Sequence, residues 1–172
     1  MVVRKRLRLK GPAIAFVTTT VYNRKPILDT KQIVAILLKE LLNITTLFKL
    51  SIISYVIMPS HIHLLIGFPM IENLSKIIQG FKSVTSKQVR RLSLIELADN
   101  NYKLWKPRFD DLIITSEKQL KIKMEYIHNN PVKAGLVDKA DMWAYTSAGN
   151  WLSGRNGLIP IDKEYKWLLR EE

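Results

Sequence analysis

The run LSIISYVIM-PS-HIHLLIGF, residues 50–68, constrains the fold more than any other stretch of the chain. Two β-branched, apolar segments are joined only by Pro59 and Ser60. A connection that short lets the two strands pair only antiparallel, as a hairpin, because a parallel return needs a crossover of a dozen or more residues. Side chains alternate across a strand, so His61 and His63 share one face while Ile62 points to the other. The chain has only three histidines, and two of them sit together in a segment that otherwise reads as buried strand.

The remaining elements follow from periodicity. AIAFVTTTVYN (13–23) is a β-branched strand that runs into the turn YNRKP. DTKQIVAILLKELLN (29–43) reads as a helix with Asp29 or Thr30 as N-cap and apolar residues at 33, 34, 37, 38 and 41. NLSKIIQGFKSVTSKQVRRL (73–92) is helical, with Leu74, Ile77, Ile78 and Phe81 inward and Lys76, Ser83, Lys87 and Arg91 outward. RFDDLIIT (108–115) is a fourth strand. SEKQLKIKMEYIHNNP (116–131) opens with a capping box, Ser116 with Gln119, and Pro131 is expected to end it by pushing Asn130 out of helical geometry.

Strand, helix, strand, strand, helix, strand with one more helix appended is the α+β, ferredoxin-like βαββαβ plan: an antiparallel sheet with helices on one face. At 172 residues the chain suits a single domain. Its core is expected over about 13–140, with a basic amino-terminal arm (1–12) and a Trp-rich, helical carboxy-terminal extension (141–172) packed on it.

Composition limits the partners. With 27 Lys+Arg against 15 Asp+Glu the net charge is +12, which implies a polyanion, most often nucleic acid. The charge is clustered, at Arg4, Lys5, Arg6, Arg8 and Lys10, and again at Lys76, Lys82, Lys87, Arg90 and Arg91 with no acid among them. In VRKRLRLK an extended chain puts Arg4, Arg6, Arg8 and Lys10 on one face, a basic ribbon suited to DNA phosphates. On the second helix Lys76, Ser83, Lys87 and Arg91 form another candidate DNA-binding face; the bland reading of both is a solvated surface. Trp105 is read first as core and second as a base-stacking platform. The chain has no cysteine, which excludes disulfides and thiolate metal sites. No apolar stretch reaches the roughly 20 residues of a membrane span, and the basic start lacks the apolar core of a secretory signal. A cytoplasmic, nucleoid-associated protein is expected.

Two imidazoles on a rigid strand face make a good pair of metal ligands, although an H-x-H pair by itself is more often a polar face meeting solvent. In the last helix Leu120, Met124 and Ile127 form the buried stripe. Tyr126 lies roughly 100° around from it, and Asn130 shares its face one turn later. A tyrosine so placed, facing two histidines, can set a nucleophile beside a metal ion. Spacing alone does not select it from the other five tyrosines, at 22, 55, 102, 145 and 165.

Four blocks, FVTTTVYNRKPIL (16–28), YVIMPSHIHLLI (55–66), RFDDLII (108–114) and YIHNNPVKAGLV (126–137), occur in an order and spacing that resemble the IS200-like single-tyrosine HUH transposases, and more closely their REP-associated tyrosine transposase branch. The resemblance covers roughly 13–150. It implies that His61 and His63 bind a divalent metal, Mg2+ or Mn2+, and that Tyr126 is the nucleophile in cleavage and rejoining of single-stranded or hairpin DNA through a 5′-phosphotyrosine. It also implies either a monomer or a homodimer. Where insertion-sequence relatives carry a glutamine as third ligand, this chain has Asn130, with His128 and Asn129 as neighbouring substitutes. A tyrosine hydroxyl ordinarily titrates near 10 and needs such help to attack phosphorus. No Walker-type loop or G-x-G-x-x-G is present, in keeping with a transesterification that needs no nucleotide. Competing readings are a non-catalytic module that binds hairpin DNA and a histidine-metal hydrolase that would not need Tyr126.

Overall fold

The structure, a computed structural model, describes residues 9–92 and 103–165. Strand β1 (Ala13–Thr20) is followed by helix α1 (Lys31–Phe48), strands β2 (Ser51–Met58) and β3 (His61–Phe68), helix α2 (Leu74–Arg91), strand β4 (Asp110–Ile114), helix α3 (Glu117–Lys133) and the short helix α4 (Ala148–Leu152). The sheet order is β2-β3-β1-β4, every neighbouring pair antiparallel. This is the expected ferredoxin-like plan, and the Pro59–Ser60 hairpin closes as its length requires. The basic arm's Arg4, Arg6 and Arg8 lie outside the described residues.

Alternation divides the sheet cleanly. Ala13, Ala15 and Val17 of β1 and Ile62, Leu64, Ile66 and Phe68 of β3 face α1 and α2, whose Ile33, Val34, Leu37, Leu41, Leu74, Ile77, Ile78 and Phe81 complete one core. Ile14 of β1 and Leu65 of β3 face the other way and meet Leu120 and Ile127 of α3. In β2 a register shift between Ile52 and Ser54 puts two successive residues, Ile53 and Ser54, on the α3 side. Helices on one face is thus correct for α1 and α2 and incomplete for the whole chain. The strands are apolar on both faces, so both need covering, and α3 covers the second.

Two further expectations are corrected. Pro131 does not end α3; it lies inside the helix, which runs on to Lys133. The missing N–H leaves one carbonyl without its helical donor, and a proline this close to the C-terminus can be carried at that cost. The terminator is Gly135, whose φ of +69° is the left-handed region where glycine is favoured. There the N–H of Leu136 donates to the Pro131 carbonyl and that of Gly135 to Val132, both at 2.9 Å, a Schellman closure. The extension, expected to be helical, contains a 3-10 turn at Ala140–Met142 and the five-residue α4 and is otherwise irregular among its described residues. It runs along the free edge of β2 instead: Ile57 N–H donates to Tyr145 O, Ser147 N–H to Tyr55 O and Asp162 N–H to Ile52 O, at 2.8 to 3.0 Å. An edge strand with unpaired backbone groups is thereby covered.

Gly135→Ala should lower stability by about 1–2 kcal/mol, because the methyl meets open space and only the left-handed backbone is penalised. Urea denaturation measures it; an unchanged midpoint would show that the helix does not close at Gly135.

Candidate active site

The β1–β3 register pairs Thr18 with His63 and Thr20 with His61. Both imidazoles therefore stand on the α3 side of the sheet, with ring centroids 4.7 Å apart. His63 is buried, stacked on Phe16 at 5.4 Å and met edge-on by Tyr126 at 5.2 Å. Its Nδ1 shares a 2.7 Å hydrogen bond with Thr18 Oγ1, while its Nε2 is buried and has no hydrogen-bonding partner. His61 Nδ1 lies 3.2 Å from Ser60 Oγ, and the Asn130 side chain hydrogen-bonds His61. The same amide donates to the Tyr126 carbonyl at 3.2 Å, so Tyr126 and Asn130 do share a face of α3, and that face meets the histidine pair. Tyr126 is 39% exposed, open enough for a substrate to reach its hydroxyl.

Both imidazoles are held neutral. Burial pushes His63 down to about 3, helped by the adjacent His61 and by Lys123. Burial also lowers His61, the Asn130 hydrogen bond opposes this, and the Arg24 guanidinium adds to the lowering. Lys123 Nζ lies 4.9 Å from the Phe16 ring centroid and 5.5 Å from that of Tyr126, and Lys133 Nζ stands 5.8 Å from the Tyr126 centroid. Two ammonium groups thus flank the tyrosine.

His128 does not join this site. It is buried on the side of α3 toward β2, its Nε2 3.0 Å from Ser54 Oγ and 2.9 Å from Ser147 Oγ, and burial pushes it down to about 4. Asn129 is exposed. Of the three candidates for a third ligand, only Asn130 reaches the pair. Among the described residues no group of three His, Cys, Asp or Glu could hold a metal ion. The donor set that fits one is two neutral imidazoles and an amide, and the unpartnered His63 Nε2 is the observation in its favour.

The candidate DNA-binding residues are dispersed. Lys76, Ser83, Lys87 and Arg91 are exposed on α2, as expected, but α2 lies across the sheet from Tyr126. Lys10 is exposed. Lys82, part of the same charge cluster, is turned inward, where its Nζ donates to the carbonyls of Lys106, Pro107 and Arg108. Trp105 is core, its indole N–H bonded to Thr85 Oγ1 at 2.9 Å. Sequence reasoning missed Phe16, Thr18, Arg24, Lys123 and Lys133. Thr18 has a signal only once the strand register is known, and Lys123 and Lys133 could have been found from their spacing of three and seven residues about Tyr126.

A ferredoxin-like sheet whose histidine pair faces a helix-borne tyrosine is the arrangement that the resemblance implied. Residues 13–130 match the family described as "Transposase IS200 like", and the chain belongs to that family. It is similar to the REP-associated tyrosine transposase of Escherichia coli (strain K12), with 25% identity over 158 residues, 92% of this chain and 88% of that protein. A Haemophilus influenzae protein provisionally named a REP-associated tyrosine transposase is 29% identical over 96 residues, a match that spans 53% of this chain and 54% of that one. Among solved structures, a REP-associated tyrosine transposase bound to a REP hairpin shares the fold with a TM-score of 0.73 at 24% identity, over 94% of this chain and 90% of that one. Among the described residues no helix is long and apolar enough to cross a membrane.

Two buried neutral imidazoles make stability pH-dependent. Free histidine titrates near 6.5, whereas His63 and His128 are held near 3 and 4, so between these values the unfolded chain binds protons that the native chain does not. Stability should therefore fall as pH drops below about 6.5, by at most about 1.4 kcal/mol per pH unit for each group. Urea midpoints of metal-free protein at pH 7 and 5 test this. The drop should be smaller in His128→Gln, and equal drops in both proteins would contradict the assignment for His128.

Proposed function

We propose that the chain cleaves and rejoins single-stranded, hairpin-bearing DNA through a 5′-phosphotyrosine formed on Tyr126, with a divalent cation, Mg2+ or Mn2+, at His61, His63 and Asn130. The observation that carries the reading is the Tyr126 ring 5.2 Å from a histidine whose buried Nε2 lacks a partner. Hairpin DNA as the substrate rests on the relative whose structure is described as bound to a REP hairpin.

Tyr126 Oη attacks the scissile phosphorus and the bond from phosphorus to the 3′ oxygen breaks; the phenol's proton passes to the solvent that reaches the exposed ring, and the departing 3′ oxygen takes a proton from solvent. The product is a phosphotyrosine on the 5′ side and a free 3′-OH; attack by a second 3′-OH reverses the step and restores both the diester and the tyrosine. When bound, the cation would polarise the phosphate and offset charge as it develops. His63 presents Nε2 because Thr18 engages Nδ1, which fixes the ring's orientation. Lys123 and Lys133 place two positive charges 5.5 and 5.8 Å from the centroid of the attacking ring, where phosphate oxygens would lie. Tyrosine and histidines belong to one chain, so this reading needs no second subunit to complete the site.

Incubation with a hairpin oligonucleotide and Mn2+ should give a covalent adduct on a denaturing gel. Tyr126→Phe should lose it while DNA affinity stays within a few-fold, since only a hydroxyl is removed. Binding without an adduct in the wild type would favour a non-catalytic hairpin-binding module, and cleavage without an adduct a metal-dependent hydrolase. Thr18→Val, which removes the partner of His63 Nδ1, should raise the Mn2+ concentration needed for cleavage about 10- to 100-fold. Raising Mn2+ should recover the rate; an unchanged Mn2+ requirement would remove Thr18 from the site.

A further inference from the structure

β1 passes the histidine pair and then makes a turn whose backbone is unusual. Asn23 and Arg24 are successive non-glycine residues with positive φ, 56° and 53°. Left-handed backbone is tolerated by asparagine and is unfavourable for arginine. The turn is nonetheless pinned on both sides. Val21 N–H donates to Ser60 O at 2.9 Å and Leu28 N–H to Pro59 O at 2.8 Å, which ties it to the loop that precedes His61. Tyr22 N–H donates to Leu104 O at 2.8 Å, and Val21 bridges Trp105. Val21 and Leu28 are buried, whereas Tyr22, Asn23, Arg24 and Lys25 between them are exposed.

A rigid, strained turn that presents an aromatic ring and cations at the mouth of a site is an expected place for function, because strain persists only where the surroundings impose it. Tyr22 is 40% exposed, with Lys103 Nζ 5.7 Å from its ring centroid. Arg24 is close enough to His61 for its charge to act on the imidazole. Thr20, two residues before Tyr22, is the strand partner of His61. None of these side chains is required by the fold, and none is used by the chemistry assigned to Tyr126.

We infer that the Tyr22–Lys25 turn is a subsite for one unpaired nucleotide next to the scissile phosphate, Tyr22 stacking on its base and Arg24 holding its phosphate. The inference rests on the strand-transfer reading and names what keeps the substrate single-stranded and in line beside His61. Stacking on an aromatic ring is indifferent to base identity, so the subsite grips without reading sequence. The charge of Arg24 acts on His61 from a left-handed backbone that a glycine would adopt more easily while losing the charge.

The test compares a hairpin oligonucleotide carrying single-stranded tails on both ends with the same hairpin made blunt, by fluorescence anisotropy without metal. Wild-type protein should prefer the tailed hairpin. Tyr22→Ala should cut that preference about tenfold and Tyr22→Phe should keep it. Arg24→Gly should weaken tailed binding and flatten its salt dependence by about 0.7 in slope, one phosphate contact on a single strand. The same variant should melt at a higher temperature than wild type, because the strain is relieved. Variants that bind the tailed hairpin like wild type overturn the subsite, as does a wild type indifferent to the tails. Neither result depends on adduct formation, whose absence in the wild type would instead overturn the strand-transfer reading.

Discussion

The antiparallel pairing of β1 with β3 is the constraint on which the rest of the site depends. Strand side chains alternate, so a shift of one residue would turn His61 and His63 into the core under α1 and α2 and turn Ile62 and Leu64 toward α3. The register is held by that core, where Ala15, Val17, Ile62, Leu64 and Ile66 are buried together. It sets Thr18 beside His63 and Thr20 beside His61. Hydrophobic packing on one face of the sheet thus fixes polar geometry on the other.

The second half of the site is carried by α3, and its position is fixed by polar as well as apolar contacts. Leu120 and Ile127 pack on the sheet, while His128 meets Ser54 and Ser147, joining helix, edge strand and extension in one buried network. Such a network is orienting because each member is satisfied in one arrangement and costly to leave unpaired in another. Tyr126 and Asn130 flank His128 in sequence and are turned by it toward the histidine pair. The carboxy-terminal extension therefore acts on the tyrosine at second hand, through Ser147.

Much of this was legible in the residues. The two-residue hairpin, the H-x-H face and the capping box at Ser116 are local signals with local causes, and Gln119 N–H does donate to Ser116 Oγ at 3.2 Å. The legible part ended where a long-range contact decides. Pro131 is a breaker by local rule, yet the helix carries it and closes at Gly135, whose place in AGL was the better stop signal. Nothing local shows that Lys82 turns inward to three carbonyls while Lys76 and Lys87 face solvent, since all three sit in one acid-free run. The side of the sheet taken by α3 was likewise invisible, because apolar residues on both faces of a strand do not say which element covers which. Asn130 was the open ligand position by its short side chain, and the turn of α3 toward His61 brings it within hydrogen-bonding reach.

The central claim is that Tyr126, and no other tyrosine, becomes bonded to DNA. Tyr22 is also exposed, two residues past the strand partner of His61, which makes the alternative concrete. Digesting the protein–DNA adduct with trypsin and then nuclease, and sequencing the nucleotide-bearing peptide by mass spectrometry, decides between them. The account predicts the added nucleotide on the peptide spanning residues 124–133, whose one tyrosine is Tyr126. A nucleotide found on a peptide containing Tyr22, or on any residue other than Tyr126, would contradict it.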